Sequence, residues 1–165
     1  LTLVQLMGED EAFEYFAQLD KNVMQYTKSG GAPVRNCGLG ETGMGFAFSQ
    51  DTQQAIAEGY PINITFPDEG TGYEISAMAL IKDGPAKEVE NAKAFIDWAL
   101  SKKAQEIFVD FYRIPVNTQA DLPEGFISLA DIPTINYDAV WAGDNRERIL
   151  QRFEDEIQSK DNVVS

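Results

Sequence analysis

The sequence predicts an α/β fold, and three observations carry that reading. Short apolar runs of strand character alternate with segments whose apolar residues recur at helical spacing. Glycine, proline and acidic residues punctuate the junctions between them. Hydrophobic residues make up 44% of the 165 residues and aromatic ones 11%, against 24% charged, so a sizeable core is available to an ordinary globular protein. That length suits one large domain or pieces of two.

Taken in order, residues 1–7 read as the end of a helix stopped at Gly8. A second helix over about 9–19 places Ala12, Phe13, Phe16 and Leu19 on one face. Glu9, Asp10 and Glu11 crowd its first turn, where the positive end of the helix dipole favours anions. Residues 23–26 form a short strand candidate. Ser29 then offers an N-cap, and Pro33 a first-turn residue, for a short helix ending near Gly38 or Gly40. Residues 43–48 read as a buried strand. Asp51 reads as the cap of a helix running to about Glu58, with Gln54 in capping-box position and Gly59 as its stop.

Residues 62–66 make another strand, and the loop Pro67-Asp68-Glu69-Gly70-Thr71-Gly72 leads into 73–82, the longest strand candidate. Asp83-Gly84-Pro85 breaks it. A helix over about 87–100 puts Ala92, Phe95, Ile96 and Ala99 on one face, and a further helix carries Ala104, Ile107, Phe108 and Phe111. Residues 118–143 are loop-rich. The last helix is expected to start at Asp144, with Glu147 completing a capping box, and to bury Ile149, Leu150, Phe153 and Ile157. A frayed tail is expected after Gln158.

Composition excludes several functions. The formal net charge is −14, with 27 acidic against 13 basic residues, which repels nucleic acid and anionic membrane surfaces. One cysteine, Cys37, and no histidine rule out an internal disulfide, Cys/His zinc sites and His-based catalytic triads within this chain. No stretch approaches the roughly 18 apolar residues of a membrane span. The chain opens Leu1-Thr2-Leu3-Val4, as if in mid-helix, without an initiator Met or a signal segment. It is therefore expected to be a fragment, with a signal and further sequence upstream.

Four places could carry chemistry. Gly38-Leu39-Gly40-Glu41-Thr42-Gly43 matches GxGxxG literally, but a helix runs into it and a strand leaves it, the reverse of the dinucleotide-binding order. It reads as a glycine stop and turn. Ser29-Gly30-Gly31 follows a strand and opens a helix, so it is either a backbone cradle for phosphate or carboxylate or a plain helix cap. Gln50-Asp51 sits where a buried strand gives way to a helix, the usual place for ligand groups in α/β sheets, although capping alone also explains the Asp. Glu69 and Glu74 flank Gly70-Thr71-Gly72-Tyr73. Glu69 reads as solvated, while Glu74, inside an apolar strand, is expected to need a partner. Phe95, Trp98 and Trp141 read as core packing.

Several stretches together resemble one family: Gly8-Glu9-Asp10-Glu11-Ala12-Phe13, Lys28-Ser29-Gly30-Gly31-Ala32-Pro33, Gly40-Glu41-Thr42-Gly43-Met44-Gly45-Phe46, Pro67-Asp68-Glu69-Gly70-Thr71-Gly72-Tyr73-Glu74, and the helix ending Ser101-Lys102-Lys103-Ala104-Gln105-Glu106. The chain resembles the type II periplasmic solute-binding proteins of ABC importers, in their iron(III)-type group. The resemblance implies two α/β lobes around a cleft. Residues 1–70 would belong to the second lobe, 71–117 to the crossover and part of the first, and 118–165 to the return, giving one lobe largely complete plus part of the other. Iron-binding members carry adjacent tyrosines where this chain has Ser49-Gln50-Asp51, and a hard ferric ion wants such anionic oxygens. The likeness is closer to the hexose-phosphate-binding branch.

That branch implies Ser29, Gly30 and Gly31 at the anion, with Gln50, Asp51, Thr71 and Glu74 toward the rest of a sugar phosphate. Gln50 replaces a histidine of those relatives but still donates and accepts. The resemblance further implies a monomer that is periplasmic, or lipid-anchored outside a Gram-positive cell. Its partners would be a small anionic ligand and an ABC permease, with no cofactor, no metal, no nucleic acid, no membrane insertion and no catalysis. Competing readings are a receptor for ferric ion or a phosphonate-like anion, a ligand-sensing domain of a signalling protein, and an enzyme using Asp51, Glu69 and Glu74 as paired carboxylates.

Overall fold

Gly8 decides where the chain first turns. At φ +91° it adopts a backbone conformation that side-chain-bearing residues avoid, ending α1 (Thr2–Met7) and opening α2 (Glu9–Asp20). Both lie where the sequence placed them in this computed structural model, which describes residues 1–158. The two helices fold against each other, and α7 (Ala139–Glu156) closes on them from the other end of the chain. Val4, Ala12, Phe13, Ile149 and Ile157 form the buried centre, ringed by Leu1, Leu3, Met7, Phe16, Trp141 and Phe153. Phe16 meets Phe13 and Phe153 edge-on at centroid distances of 5.5 and 5.4 Å, the geometry that aromatic quadrupoles favour.

Polar contacts fix the same three helices. Both nitrogens of the Arg148 fork donate to Glu9 at 2.7 Å, and Arg152 donates to Glu9 Oε1 at 2.8 Å. The Arg152 guanidinium also lies 4.0 Å from the Phe13 ring centroid, so one cation serves a carboxylate and an aromatic face together. Hydrogen bonds from Arg148 and then Arg152 hold the Glu9 carboxyl down from its ordinary 4.5 to about 2. The Gln5 amide donates to the Asp138 carbonyl at 3.0 Å and accepts from the Asp138 N–H at 2.7 Å.

That clasp explains a correction. The α7 helix starts at Ala139 rather than Asp144, because Gln5 pins Asp138 and the Asp138 carboxylate caps the Trp141 N–H at 2.9 Å. Asp144 and Glu147 then fall inside the helix and make no cap. Ile149 and Ile157 are buried and Phe153 is half-buried as expected, whereas Leu150 is exposed. The tail after Gln158 lies outside the described residues.

The short helix α3 (Ala32–Gly38) is capped by Gly31, not Ser29, and α4 (Ser49–Ala57) by Phe48, not Asp51. No side chain caps either helix. Asp51 sits instead in the first turn of α4, where it meets the helix dipole directly. Gly40 and Gly59, at φ +76° and +93°, turn the chain after α3 and α4.

A single 3₁₀ turn (Ala86–Glu88) leads into α5 (Val89–Ala99), and Ser101 caps α6 (Lys102–Val109) by accepting from the Ala104 N–H at 3.3 Å. Buried Gln105 ties this unit together. Its amide donates to the Ala99 carbonyl and accepts from the Val116 N–H, both at 2.8 Å. Asn117 adds a bond to the Leu100 carbonyl at 2.9 Å. The buried line is narrow: Ala99, Ala104 and Val109. Phe95 and Trp98, expected in the core, are 57% and 48% exposed and lean on each other at 5.6 Å. Ile107, Phe108 and Phe111 are likewise exposed, because only one helix-to-helix seam covers this pair. Trp141 does pack on the core as expected.

Three strand candidates, 43–48, 62–66 and 73–82, carry no paired ladder among the described residues, whereas in 23–26 Tyr26 makes an isolated bridge. A strand needs a neighbour in hydrogen-bonding register, and those three segments find none among the described residues. Phe46, Ile75 and Ile81 are consequently 70%, 70% and 79% exposed. One parallel bridge, Thr71 to Thr134, joins the crossover to the segment before α7. Thr71 donates to the Pro133 carbonyl at 2.9 Å and accepts from the Ile135 N–H at 3.1 Å. No helix of the described residues is long and apolar enough to cross a membrane.

Two outcomes follow from these contacts. The stabilisation from Glu9 is fully present above its ordinary pKa of 4.5 and is lost as pH falls toward about 2. Acid titration of unfolding will therefore show a shallower loss over that window in Glu9→Gln than in the unmodified protein, with the variant already less stable at neutral pH. Gln105→Leu leaves the buried Ala99 carbonyl unpaired and removes the acceptor of the Val116 N–H, and urea unfolding will show a loss of about 1–3 kcal/mol.

Candidate functional site

The turn after residue 26 is folded by two short bonds that both end on one carbonyl. Thr27 Oγ1 donates to the Ser29 carbonyl at 3.0 Å, and the Ala32 N–H donates to it at 3.3 Å. With that carbonyl engaged, the N–H groups of Ser29, Gly30 and Gly31 donate to no acceptor among the described residues. Exposed donors of successive residues in a tight turn form a concavity suited to an anion.

The segment 43–48 lies against this turn because Gly45 permits it. A Cβ on Gly45 would stand 2.9 Å from Pro33 Cβ and 3.2 Å from Cys37 Sγ. A Cβ on Gly30 would meet the Phe48 ring at 3.7 Å, ordinary van der Waals contact. Between them is a cavity of about 430 Å³, lined by Thr27, Lys28, Ser29, Gly30 and Pro33 on one side and by Phe46, Ala47 and Phe48 on the other. That volume falls within the range of small-molecule sites.

Of the residues expected from sequence, Ser29 and Gly30 line this cavity, and Gly31 adjoins it as the cap of α3. Gln50 and Asp51, both half-buried, occupy the first turn of α4 directly beyond Phe48. Thr71 and Glu74 are not among the lining residues. Both backbone polar groups of Thr71 are committed to its bridge with the 133–135 segment, and its hydroxyl donates to the Gly72 carbonyl at 3.3 Å. Glu74 was expected to need a partner inside a buried strand; the segment is open, so Glu74 is exposed and solvated, as is Glu69.

Gly38 to Gly43 behaves as a helix stop. The α3 helix runs into it, Gly40 turns the chain, and Glu41 and Thr42 donate to the Asn36 carbonyl at 2.9 and 3.4 Å. Cys37 Sγ lies 3.2 Å from Thr42 Oγ1 in the same turn.

Lys28 also lines the cavity, and the reading of the sequence passed over it. The available signal was its place immediately before Ser29, in a turn already marked for anions. A second concavity of about 440 Å³ lies on the outer side of α1 and α2, lined by Met7, Glu11, Glu14, Tyr15, Ala17 and Gln18. Its charge is of the opposite sign.

Comparison with known proteins agrees with this architecture. Residues 3–134 match the family of bacterial extracellular solute-binding proteins. An uncharacterized protein of Haemophilus influenzae is 38% identical over 162 residues, covering 95% of this chain and 46% of that protein. Among solved structures, the periplasmic binding protein AfuA from Actinobacillus pleuropneumoniae, with exogenous fructose-6-phosphate bound, superposes with a TM-score of 0.83 at 39% identity. That match covers 94% of this chain and 50% of AfuA. The periplasmic binding protein P5PA superposes with a TM-score of 0.79 at 29% identity, over 95% of this chain and 51% of P5PA. The chain thus spans about half the length of the relatives it matches.

The close approach of Gly45 to α3 makes the cavity wall testable. Gly45→Ala will lower the urea midpoint by an amount equivalent to about 1–3 kcal/mol, the usual cost of overpacking. Gly43→Ala, whose Cβ would meet nothing within 4 Å, will leave the midpoint unchanged or slightly raised.

Proposed function

Since this chain belongs to the bacterial extracellular solute-binding proteins and carries the type II periplasmic-binding fold, we propose that it serves an ABC importer by holding a sugar phosphate in an interlobe cleft. The observation that carries this reading is the cavity between the 27–30 turn and the 46–48 segment. Its unengaged N–H groups, the Ser29 hydroxyl and an ammonium group suit the oxygens of a phosphate. Gln50 and Asp51 follow the same wall and supply acceptors and a donor for sugar hydroxyls. Thr71 and Glu74 complete the ligand set when the crossover meets the other side of the cleft. The bound fructose-6-phosphate of AfuA is the relevant precedent at 39% identity.

The lobe assignment is part of the same proposal: 1–70 with 118–165 in one lobe, and 71–117 at the crossover and in the other. The clasp of α1 and α2 with α7 supports pairing the first and third segments. The bonds of Gln105, which stay within 99–116, support treating the middle segment as its own unit. Closure of the lobes on ligand would shift the population toward the form that a membrane permease recognises. The location that this role implies is the periplasm, or the outer surface of a Gram-positive cell.

Titration calorimetry on the purified protein with fructose 6-phosphate, inorganic phosphate, fructose and ferric ion tests the reading. Saturable binding of the phosphate ester, tighter than that of fructose, is the expected result. Tight ferric binding with no response to any phosphate would overturn it.

A further inference from the structure

The two concavities described above are nearly equal in volume and lined by side chains of opposite charge. The one on α1 and α2 is lined by the carboxylates of Glu11 and Glu14 and by no cation. The one at the 27–30 turn counts Lys28 among its lining residues and no acidic residue. In a chain with 27 acidic and 13 basic residues, a cavity wall free of carboxylate and bearing a cation is the exception. Lys28 makes no ion pair or side-chain hydrogen bond among the described residues, so its charge is not spent on the fold. Several other cations are engaged structurally: Lys93 with Glu90, Lys102 with Asp121, and Arg148 and Arg152 with Glu9.

We propose that Lys28 is the charge-selecting residue of the cavity, pairing with the dianionic group of a phosphate ester whose oxygens the Ser29 hydroxyl and the turn N–H groups also meet. The inference rests on the reading of this cavity as a sugar-phosphate site. Successive backbone N–H groups carry only partial charge, and they accept a carboxylate, a phosphate or a polarised hydroxyl with little discrimination. A full positive charge beside them favours the doubly charged ligand over the neutral sugar, and a charge-assisted bond is about twice as strong as a neutral one. The ammonium ion also counters the field of a strongly acidic protein, which would otherwise hold an anion off. Lys28 is exposed on a flexible stem, so its ammonium can swing to an anion seated at the turn.

The test compares Lys28→Met and Lys28→Arg with the unmodified protein by titration calorimetry against fructose 6-phosphate and fructose, at low and high salt. Lys28→Met is expected to lose about 10- to 100-fold in affinity for fructose 6-phosphate and most of the salt dependence of binding. Lys28→Arg is expected to keep both, and the melting temperature of each unliganded variant is expected to match the unmodified protein. Unchanged affinity and salt dependence in Lys28→Met, with the unmodified protein still binding fructose 6-phosphate, would overturn the role of Lys28 and leave the site standing. An equal loss for fructose and fructose 6-phosphate would overturn charge selection as well. No binding of fructose 6-phosphate by the unmodified protein would remove the site itself, and the role of Lys28 with it.

Discussion

One carboxylate joins the two ends of the described chain. Glu9 receives both nitrogens of the Arg148 fork and one from Arg152, and these partners lie 139 and 143 residues further on. The same Arg152 covers Phe13, which is buried against Val4 and Ile149. Charge pairing and apolar burial are thus aligned on one seam. The alignment matters because an ion pair alone contributes little at a surface, whereas one laid over a dry aromatic core also fixes the angle between helices. Everything from residue 21 to residue 138 is an excursion anchored at both ends by that seam.

Much of the helical skeleton was legible in the sequence because helix signals are local. Gly8 and Gly59 ended helices where their φ freedom was needed, and the apolar spacing of Ala12 and Phe13 marked a face that is buried. The caps were less legible. Asp51 and Asp144 both begin patterns that suit a capping box, yet each lies inside its helix, because the true starts are set from outside the pattern. Gln5 fixes Asp138 from more than a hundred residues away, and no local rule contains that contact. The strand candidates show the same limit in another form. The apolar residues of 43–48 and 73–82 predict strands facing a neighbour, and no paired ladder is present there among the described residues. The fold class is nevertheless the one the sequence indicated, as the superpositions on two periplasmic binding proteins establish.

The candidate site divides along the same line. Ser29 and Gly30 were recognisable because a Ser-Gly-Gly turn exposes its own N–H groups whatever surrounds it. Lys28 was not, since a lysine beside a turn looks like any solvated lysine until a wall of Phe46 and Phe48 stands opposite. Glu74 misled for the converse reason: its apolar neighbours promised burial that this segment does not have. The sign of the charge in a cavity depends on which side chains the fold excludes as much as on those it gathers, and exclusion leaves no motif.

The bonds made by Gln105 span 6 and 11 residues, whereas those that close the seam at Glu9 span 139 and 143. Closing a loop of 139 residues costs about 2 kcal/mol more chain entropy than closing one of 11. The contacts around Gln105 thus close at a lower entropic cost than those that bring α7 to α1 and α2. Without the α7 contact, Phe13 and Ile149 lose their cover, so any opening of the seam at Glu9 exposes apolar surface on both α2 and α7 at once.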